Sequence, residues 1–139
     1  MKQIMQTPGQ GRIRLAEGPD PIAQPQCVIV AHAASLISAG TERYVVELAR
    51  KSLIGKALAR PDHVRRIVEK IRQEGLFATL QQVRARLDEP MTLGYSAAGV
   101  VLECGRGVQD FKPGDRVATA APHSEIVCIG RNLCARIPE

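Results

Sequence analysis

Residues 93–104 read Leu93-Gly94-Tyr95-Ser96-Ala97-Ala98-Gly99-Val100-Val101-Leu102-Glu103-Cys104, a small-residue turn followed by an apolar run of strand length. The reading of this stretch decides the fold, because short strands continue after it. Arg116 to Ala120, Glu125 to Ile129 and Cys134 to Ile137 are each apolar runs of four or five residues bounded by polar or turn-forming ones. Between the strand Ala97 to Cys104 and the strand Arg116 to Ala120 lies Phe111-Lys112-Pro113-Gly114-Asp115. Pro followed by Gly suits the central positions of a type II turn, since glycine tolerates positive φ.

Before residue 93 the period changes. Val64, Ile67, Val68 and Ile71 fall at i, i+3, i+4 and i+7, one apolar helical stripe. Pro61 suits the first turn of that helix and Gly75 its exit. Leu76, Leu80, Val83 and Leu87 form a second stripe, ended by Asp88-Glu89-Pro90. A less regular helical stretch, Tyr44 to Ala59, comes first, with Thr41 as its expected N-cap. Further upstream strands return. Gly11 to Glu17 alternates like a half-buried strand, Gly18-Pro19-Asp20-Pro21 is a break, and Cys27 to Ala34 has the composition of a central strand. The fold expected is mainly β with α (α+β), strands interrupted by one helical block.

With 139 residues, 45% hydrophobic and 24% charged, the chain has room for one domain with its own core. No apolar run reaches the roughly 18 to 20 residues that span a bilayer. The first residues, Met1-Lys2-Gln3-Ile4-Met5-Gln6, hold no apolar core of signal-peptide length. The expectation is a cytoplasmic protein without a membrane partner. Cys27, Cys104, Cys128 and Cys134 include no C-x-x-C pair and lie mostly in strand-like runs, so reduced core thiols are expected.

The net charge of +5 is concentrated in one segment: Arg43 to Arg86 holds 11 of the 19 Lys/Arg but only 4 of the 14 Asp/Glu. Three readings of this basic block stay open. It is a solvated helical face, a site for an anionic ligand such as a nucleotide sugar through Arg60, Arg65, Arg66 or Lys70, or a nucleic-acid surface. Nucleic acid is disfavoured, because two Phe and two Tyr supply little base stacking and no helix-turn-helix or finger pattern is present.

Four collinear stretches carry a resemblance. Ser35-Leu36-Ile37-Ser38-Ala39-Gly40-Thr41-Glu42 resembles an Ile-Cys-Gly-Thr-Asp segment, and Leu93 to Val101 resembles Gly-His-Glu-x-x-Gly-x-Val. Gly105-Arg106-Gly107-Val108 with Phe111 and Gly114-Asp115-Arg116-Val117 is the third, and His123-Ser124-Glu125 with Asn132-Leu133 and Ile137-Pro138-Glu139 the fourth. In this order they are similar to the GroES-like domain of the medium-chain dehydrogenase/reductase superfamily. The Ser-Leu-Ile-Ser-Ala-Gly-Thr-Glu run, the long insertion and Leu-Gly-Tyr-Ser resemble, more narrowly, the bacterial bi-domain oxidoreductases of polysaccharide biosynthesis.

The resemblance implies a partly open β-barrel over residues 1–139 with a helical insertion at about 42–89. It implies the substrate side of an NAD(P)-dependent oxidoreductase acting on a small-molecule substrate, in the narrower family a sugar or polysaccharide precursor. It also implies which chemistry is missing. At the positions of the zinc-binding cysteine, histidine and glutamate stand Ala39, Tyr95 and Ser96, and a methyl group cannot ligate a metal, so no zinc is expected. The four-cysteine structural zinc lobe is absent as well. Gly105-x-Gly107 follows a strand but leads into another turn, and Gly9-x-Gly11 precedes one, so both are read as loop glycines and not as a dinucleotide fingerprint. The family's Rossmann cofactor domain follows Ile-Pro-Glu, so it is expected as a missing partner. The 139 residues alone are then expected to hold no NAD(P) and to be inactive. The surface it would cover leaves room for a homodimer.

Within that frame Thr41 stands where many family members place a hydroxyl that relays a proton, although a helix cap explains it equally well. Tyr95 is a candidate hydrogen-bond donor to a carbonyl oxygen, or an aromatic filling space left by the metal. Ser38 joins Arg60, Arg65, Arg66 and Lys70 as a substrate or anion contact. His32 is read as structural, and His123 matches a loop histidine of the narrower family without an assigned role. The alternative to an enzyme part is a non-catalytic GroES-like binding or assembly module that uses its basic helical insertion.

Overall fold

The computed structural model describes residues 1–8, 12–51 and 61–138, with the side chains of Pro61 and His63 excepted. Strands β1 (Lys2–Thr7), β2 (Arg12–Glu17) and β3 (Cys27–Ser35) are followed by helices α1 (Thr41–Arg50), α2 (Pro61–Glu74) and α3 (Leu76–Asp88). Then come β4 (Met91–Thr92), β5 (Ala97–Cys104), β6 (Arg116–Thr119), β7 (Ile126–Gly130), a 3-10 turn at Arg131–Leu133, and β8 (Cys134–Arg136). The sequence places each of the other long elements but names no separate strand at β1. It also misses the two-residue β4 and the 3-10 turn. The expected helical stretch Tyr44 to Ala59 ends as α1 at Arg50, and its remainder lies outside the described residues, as do Gly9 and Gly11.

The chain divides into two compact units. One comprises Met1–Met5, Arg14–Ser38 and Thr92–Glu139; the other comprises Gln6–Ile13 and Ala39–Met91. In the first, five antiparallel strands in the order β7-β3-β5-β6-β8 curl into a half-barrel, as expected of a mainly β fold with α. β3 is central, flanked by β5 and β7, and its β-branched residues suit that place. Val28 and Val30 are 0% exposed and meet Val101, Val117, Ala121 and Ile129 on the inner face. The strand order of the smaller sheet is β2-β1-β4. β2 is thus an edge strand, and the half-buried reading of Gly11 to Glu17 is corrected: Ile13 and Leu15 are exposed. Alternation records which residues share a face, not whether that face is covered.

Turn chemistry performs as read. Across Pro113-Gly114 the Asp115 N–H donates to the Lys112 carbonyl at 3.1 Å, with Gly114 at φ +93°. Gly105 and Gly107 also sit in a turn, closed by the Val108 N–H on the Gly105 carbonyl at 3.2 Å.

The helical unit corrects two expectations. Helix α1 has its N-cap at Gly40, whose carbonyl accepts the first helical bond from the Tyr44 N–H at 3.0 Å, so Thr41 is the first helical residue and not the cap. In α3 the expected stripe is rotated: Leu76 and Leu80 are exposed, while Thr79, with Val83 and Leu87, lies on the inward side. Thr79 can be buried because its hydroxyl donates to the Gly75 carbonyl at 2.8 Å, which removes its polarity from the interface. Gly75 ends α2 as predicted, at φ +88°. The four cysteines are free thiols, half-buried and not fully buried.

Candidate functional site

Along the inner face of the half-barrel, apolar residues give way to polar ones. Val30 pairs with Val101 and His32 with Gly99, but the next pair is Ala34 with Ala98, so Ala33 is an extra residue on β3. This bulge reverses the alternation and places Ser35, opposite Ala97, on the same face as His32. Thr119 also pairs with Ala97 and joins them. The end of the sheet that reaches the loop 93–96 is therefore lined by His32, Ser35 and Thr119.

Each of these groups is engaged. The His32 ring makes hydrogen bonds through Nδ1 to the Ser124 carbonyl at 2.8 Å and through Nε2 to Thr119 Oγ1 at 3.2 Å. The Thr119 hydroxyl donates to the Ala97 carbonyl at 3.3 Å. Two ring nitrogens satisfied by β7's approach and β6 make His32 structural, as expected. Buried His123 bonds through Nδ1 to Ser35 Oγ at 2.9 Å.

His123 also clamps the loop that carries Tyr95. Its N–H donates to the Leu93 carbonyl at 2.7 Å, the Leu93 N–H donates to Ile4 at 3.0 Å, and the Ile4 N–H donates back to the His123 carbonyl at 2.9 Å. The next residue, Gly94, lies at φ +90°, and a Cβ there would stand 2.6 Å from the His123 ring. Only glycine lets the ring pack so close. On the other side the Leu36 N–H donates to the Ser96 carbonyl at 2.9 Å. Tyr95 is thus presented, 49% exposed, from a loop fixed at both ends.

The other expected site residues fall as follows. Ser38, half-buried, belongs to the strand unit, while Thr41 opens α1 of the helical unit and is exposed. On α2, Arg65 pairs with Glu69 at 3.5 Å and Lys70 with Glu74 at 3.7 Å. Arg66 and Lys70 border a 690 Å³ cleft within the helical unit, whereas Arg65 does not line it. Arg60 lies outside the described residues. The sequence reading passed over Ser35 and gave His123 no role. The one signal for His123 was its place in the His-Ser-Glu stretch; the bulge that puts the exposed Ser35 on the face of His32 has no sequence signature.

Among the described residues no three His, Cys, Asp or Glu side chains gather as a metal site would require. Three of the thiols are shifted away from the reactive thiolate form: burial pushes Cys134 up to about 11, and Cys27 and Cys104 are raised by burial as well. No helix among the described residues is long and apolar enough to cross a membrane.

Residues 67–137 match the model of the alcohol dehydrogenase GroES-like domain. A stretch of 56 residues is 43% identical to the human (Homo sapiens) NAD(P)H oxidoreductase RTN4IP1, mitochondrial, covering 36% of this chain and 14% of that protein. Its Bos taurus counterpart is 44% identical over 55 residues, 35% of this chain and 14% of the relative. In fold the chain is similar to Escherichia coli quinone oxidoreductase complexed with NADPH, with a TM-score of 0.62, 19% identity, and coverage of 99% of this chain and 33% of that one. It is likewise similar to galactitol-1-phosphate dehydrogenase from Escherichia coli, with a TM-score of 0.63, 18% identity, and coverage of 99% and 38%. The chain therefore spans between about a third and two fifths of these solved relatives' length.

Proposed function

Because this chain belongs to the alcohol dehydrogenase GroES-like domain family of the medium-chain dehydrogenase/reductase superfamily, we propose that it is the substrate-side domain of a zinc-independent NAD(P)-dependent oxidoreductase. The observation that carries this reading is Tyr95, half-exposed on a loop clamped by His123, at the position where zinc enzymes of the superfamily hold a metal-binding histidine. A phenol is protonated at neutral pH, where its ordinary pKa is about 10. It can therefore donate a hydrogen bond to a carbonyl oxygen and stabilise the negative charge that develops there, the task a metal would otherwise perform.

In this proposal a dinucleotide supplies hydride transfer when bound, held by a Rossmann domain that works beside this one. The GroES-like domain contributes orientation and proton handling. Tyr95 donates to the substrate oxygen, Thr41 passes a proton through its hydroxyl, and Ser38 holds a substrate hydroxyl. His123, with Ser35, keeps the loop rigid. The donor set supports a metal-free mechanism, since Ala39 has no ligating atom and Tyr95 and Ser96 are poor ligands for zinc. The likeness to the human NAD(P)H oxidoreductase supports the cofactor class. Likeness to the bi-domain oxidoreductases makes a sugar or polysaccharide precursor the substrate class, with a cytoplasmic location. In this reading a homodimer covers part of the exposed apolar surface, and nucleic acid is not a partner.

The test is Tyr95→Phe in the whole protein, assayed for nicotinamide-linked turnover across sugar substrates. Loss of one charge-stabilising donor predicts a fall in kcat of about a hundredfold with little change in KM. Unchanged kcat leaves Tyr95 a packing residue and removes the proposal's centre. A second reading, a non-catalytic binding module, draws on the cation-lined cleft of the helical unit.

A further inference from the structure

Helices α1, α2 and α3 and the end of β1 enclose the 690 Å³ cleft, a volume typical of small-molecule sites. Its walls include Leu48, Val64, Ile67, Val83 and Leu87. Such a surface takes an apolar body. Two kinds of polar group interrupt it, and neither is explained by packing.

The first is Gln6. It is 0% exposed, it lines the cleft, and neither its Nε2 nor its Oε1 has a hydrogen-bond partner. Burying an amide with both halves unsatisfied is costly, because the group has given up its water without gaining a partner. A ligand group that both donates and accepts would remove that cost. The second is charge: Arg66, Lys70 and Arg86 all line the same cleft. Lys70 shares Glu74 at 3.7 Å, whereas Arg66 and Arg86 take no part in the ion pairs of the described residues. Two uncommitted guanidinium groups beside an apolar cleft fit a carboxylate, which they bind through paired hydrogen bonds.

We propose that the helical unit holds a second binding site, for a small amphipathic carboxylate of the N-acyl amino acid type: its acyl chain in the cleft, its amide on Gln6, its carboxylate at Arg66 and Arg86 with Lys70 adding positive charge. This site is independent of the catalytic reading, since it uses neither Tyr95 nor Thr41. The two readings therefore fail separately.

The experiment is calorimetric titration of the full-length protein with N-octanoylglycine, its methyl ester, octanoate, octyl phosphate and octylamine. N-octanoylglycine is expected to bind, its ester and octylamine at least about tenfold more weakly. The double variant Arg66→Gln/Arg86→Gln should lose about tenfold in affinity, about 1.4 kcal/mol. Gln6→Leu should abolish the preference for N-octanoylglycine over octanoate while octanoate still binds; Gln6→Met, closer in shape, serves the same purpose if the leucine variant does not fold. Tyr95→Phe should leave all these affinities unchanged. Equal binding of octylamine and the acid, undiminished affinity in the arginine double variant, tighter binding of octyl phosphate, or no binding at all would each overturn the proposal.

Discussion

The strand unit and the helical unit of this chain solve the problem of buried polarity in opposite ways. In the half-barrel, Val28, Val30, Val101 and Val117 make a dry core, and the polar residues at its end are bonded to one another: His32 to Thr119, and His123 to Ser35. In the helical unit, the fully buried residues among those described are Ala49, Gln6 and Thr79, and Gln6 has no partner for either amide atom. The first region is specified by its own packing. The second leaves an apolar cleft with charges around it, which is how a surface shaped for a ligand differs from one shaped for a core.

The contrast can be broken most forcefully at Gly94. A Cβ there meets the His123 ring at 2.6 Å and faces an unfavourable φ of +90°. Gly94→Ala should therefore cost about 3 kcal/mol in chemical denaturation, strain and overpacking combined. A loss under about 1 kcal/mol would show that the clamp is loose. Next in size are paired truncations. Val101→Ala in the sheet core should cost about 2 kcal/mol, whereas Val64→Ala, half-buried on α2, should cost less than about 1 kcal/mol. Equal losses in urea midpoints would erase the distinction between the units.

The smallest effect is a pH dependence. Cys134 packs against the sheet core, its Sγ donates to the Gly130 carbonyl at 3.8 Å, and burial pushes its pKa up to about 11. An unfolded cysteine titrates near about 8.5. The raised folded value means that the protonated thiol contributes stability fully below the unfolded pKa, and that this contribution is lost as pH rises toward about 11. Thermal midpoints measured between pH 8 and pH 11 should fall more steeply for the native chain than for Cys134→Ala; parallel curves would contradict the assignment.

What was legible in the sequence follows the same division. Strands β3, β5 and β6 could be read because β-branched composition and the Pro113-Gly114 turn are local signals that tertiary packing reinforces. The family resemblance added the significance of Ala39, Tyr95 and Ser96, which composition alone would never single out. The rest of the site was hidden. His123 acquires its role by packing against Gly94, 29 positions earlier in the chain, and Ser35 shares the face of His32 only because Ala33 is an unpaired extra residue. In α3 the first half of the stripe, Leu76 and Leu80, is exposed and Thr79 is buried instead, since a threonine that bonds its own helix backbone can be buried as readily as a leucine. Periodicity gave the helix and not its orientation. Thr41 was displaced from its expected cap for a related reason: Gly40 already supplies the first helical carbonyl.

Amide hydrogen exchange followed by mass spectrometry or NMR tests most directly the claim that a rigid sheet holds the loop 93–96 while the helical unit remains open to a ligand. Protection should be greatest, near the global unfolding limit, at the amides of Val28 to Val30, Val101 and the Ile4–Leu93–His123 ring of hydrogen bonds, and at least about a hundredfold lower across α2 and α3. Uniform protection across both units, or fast exchange at His123 and Leu93, would contradict it.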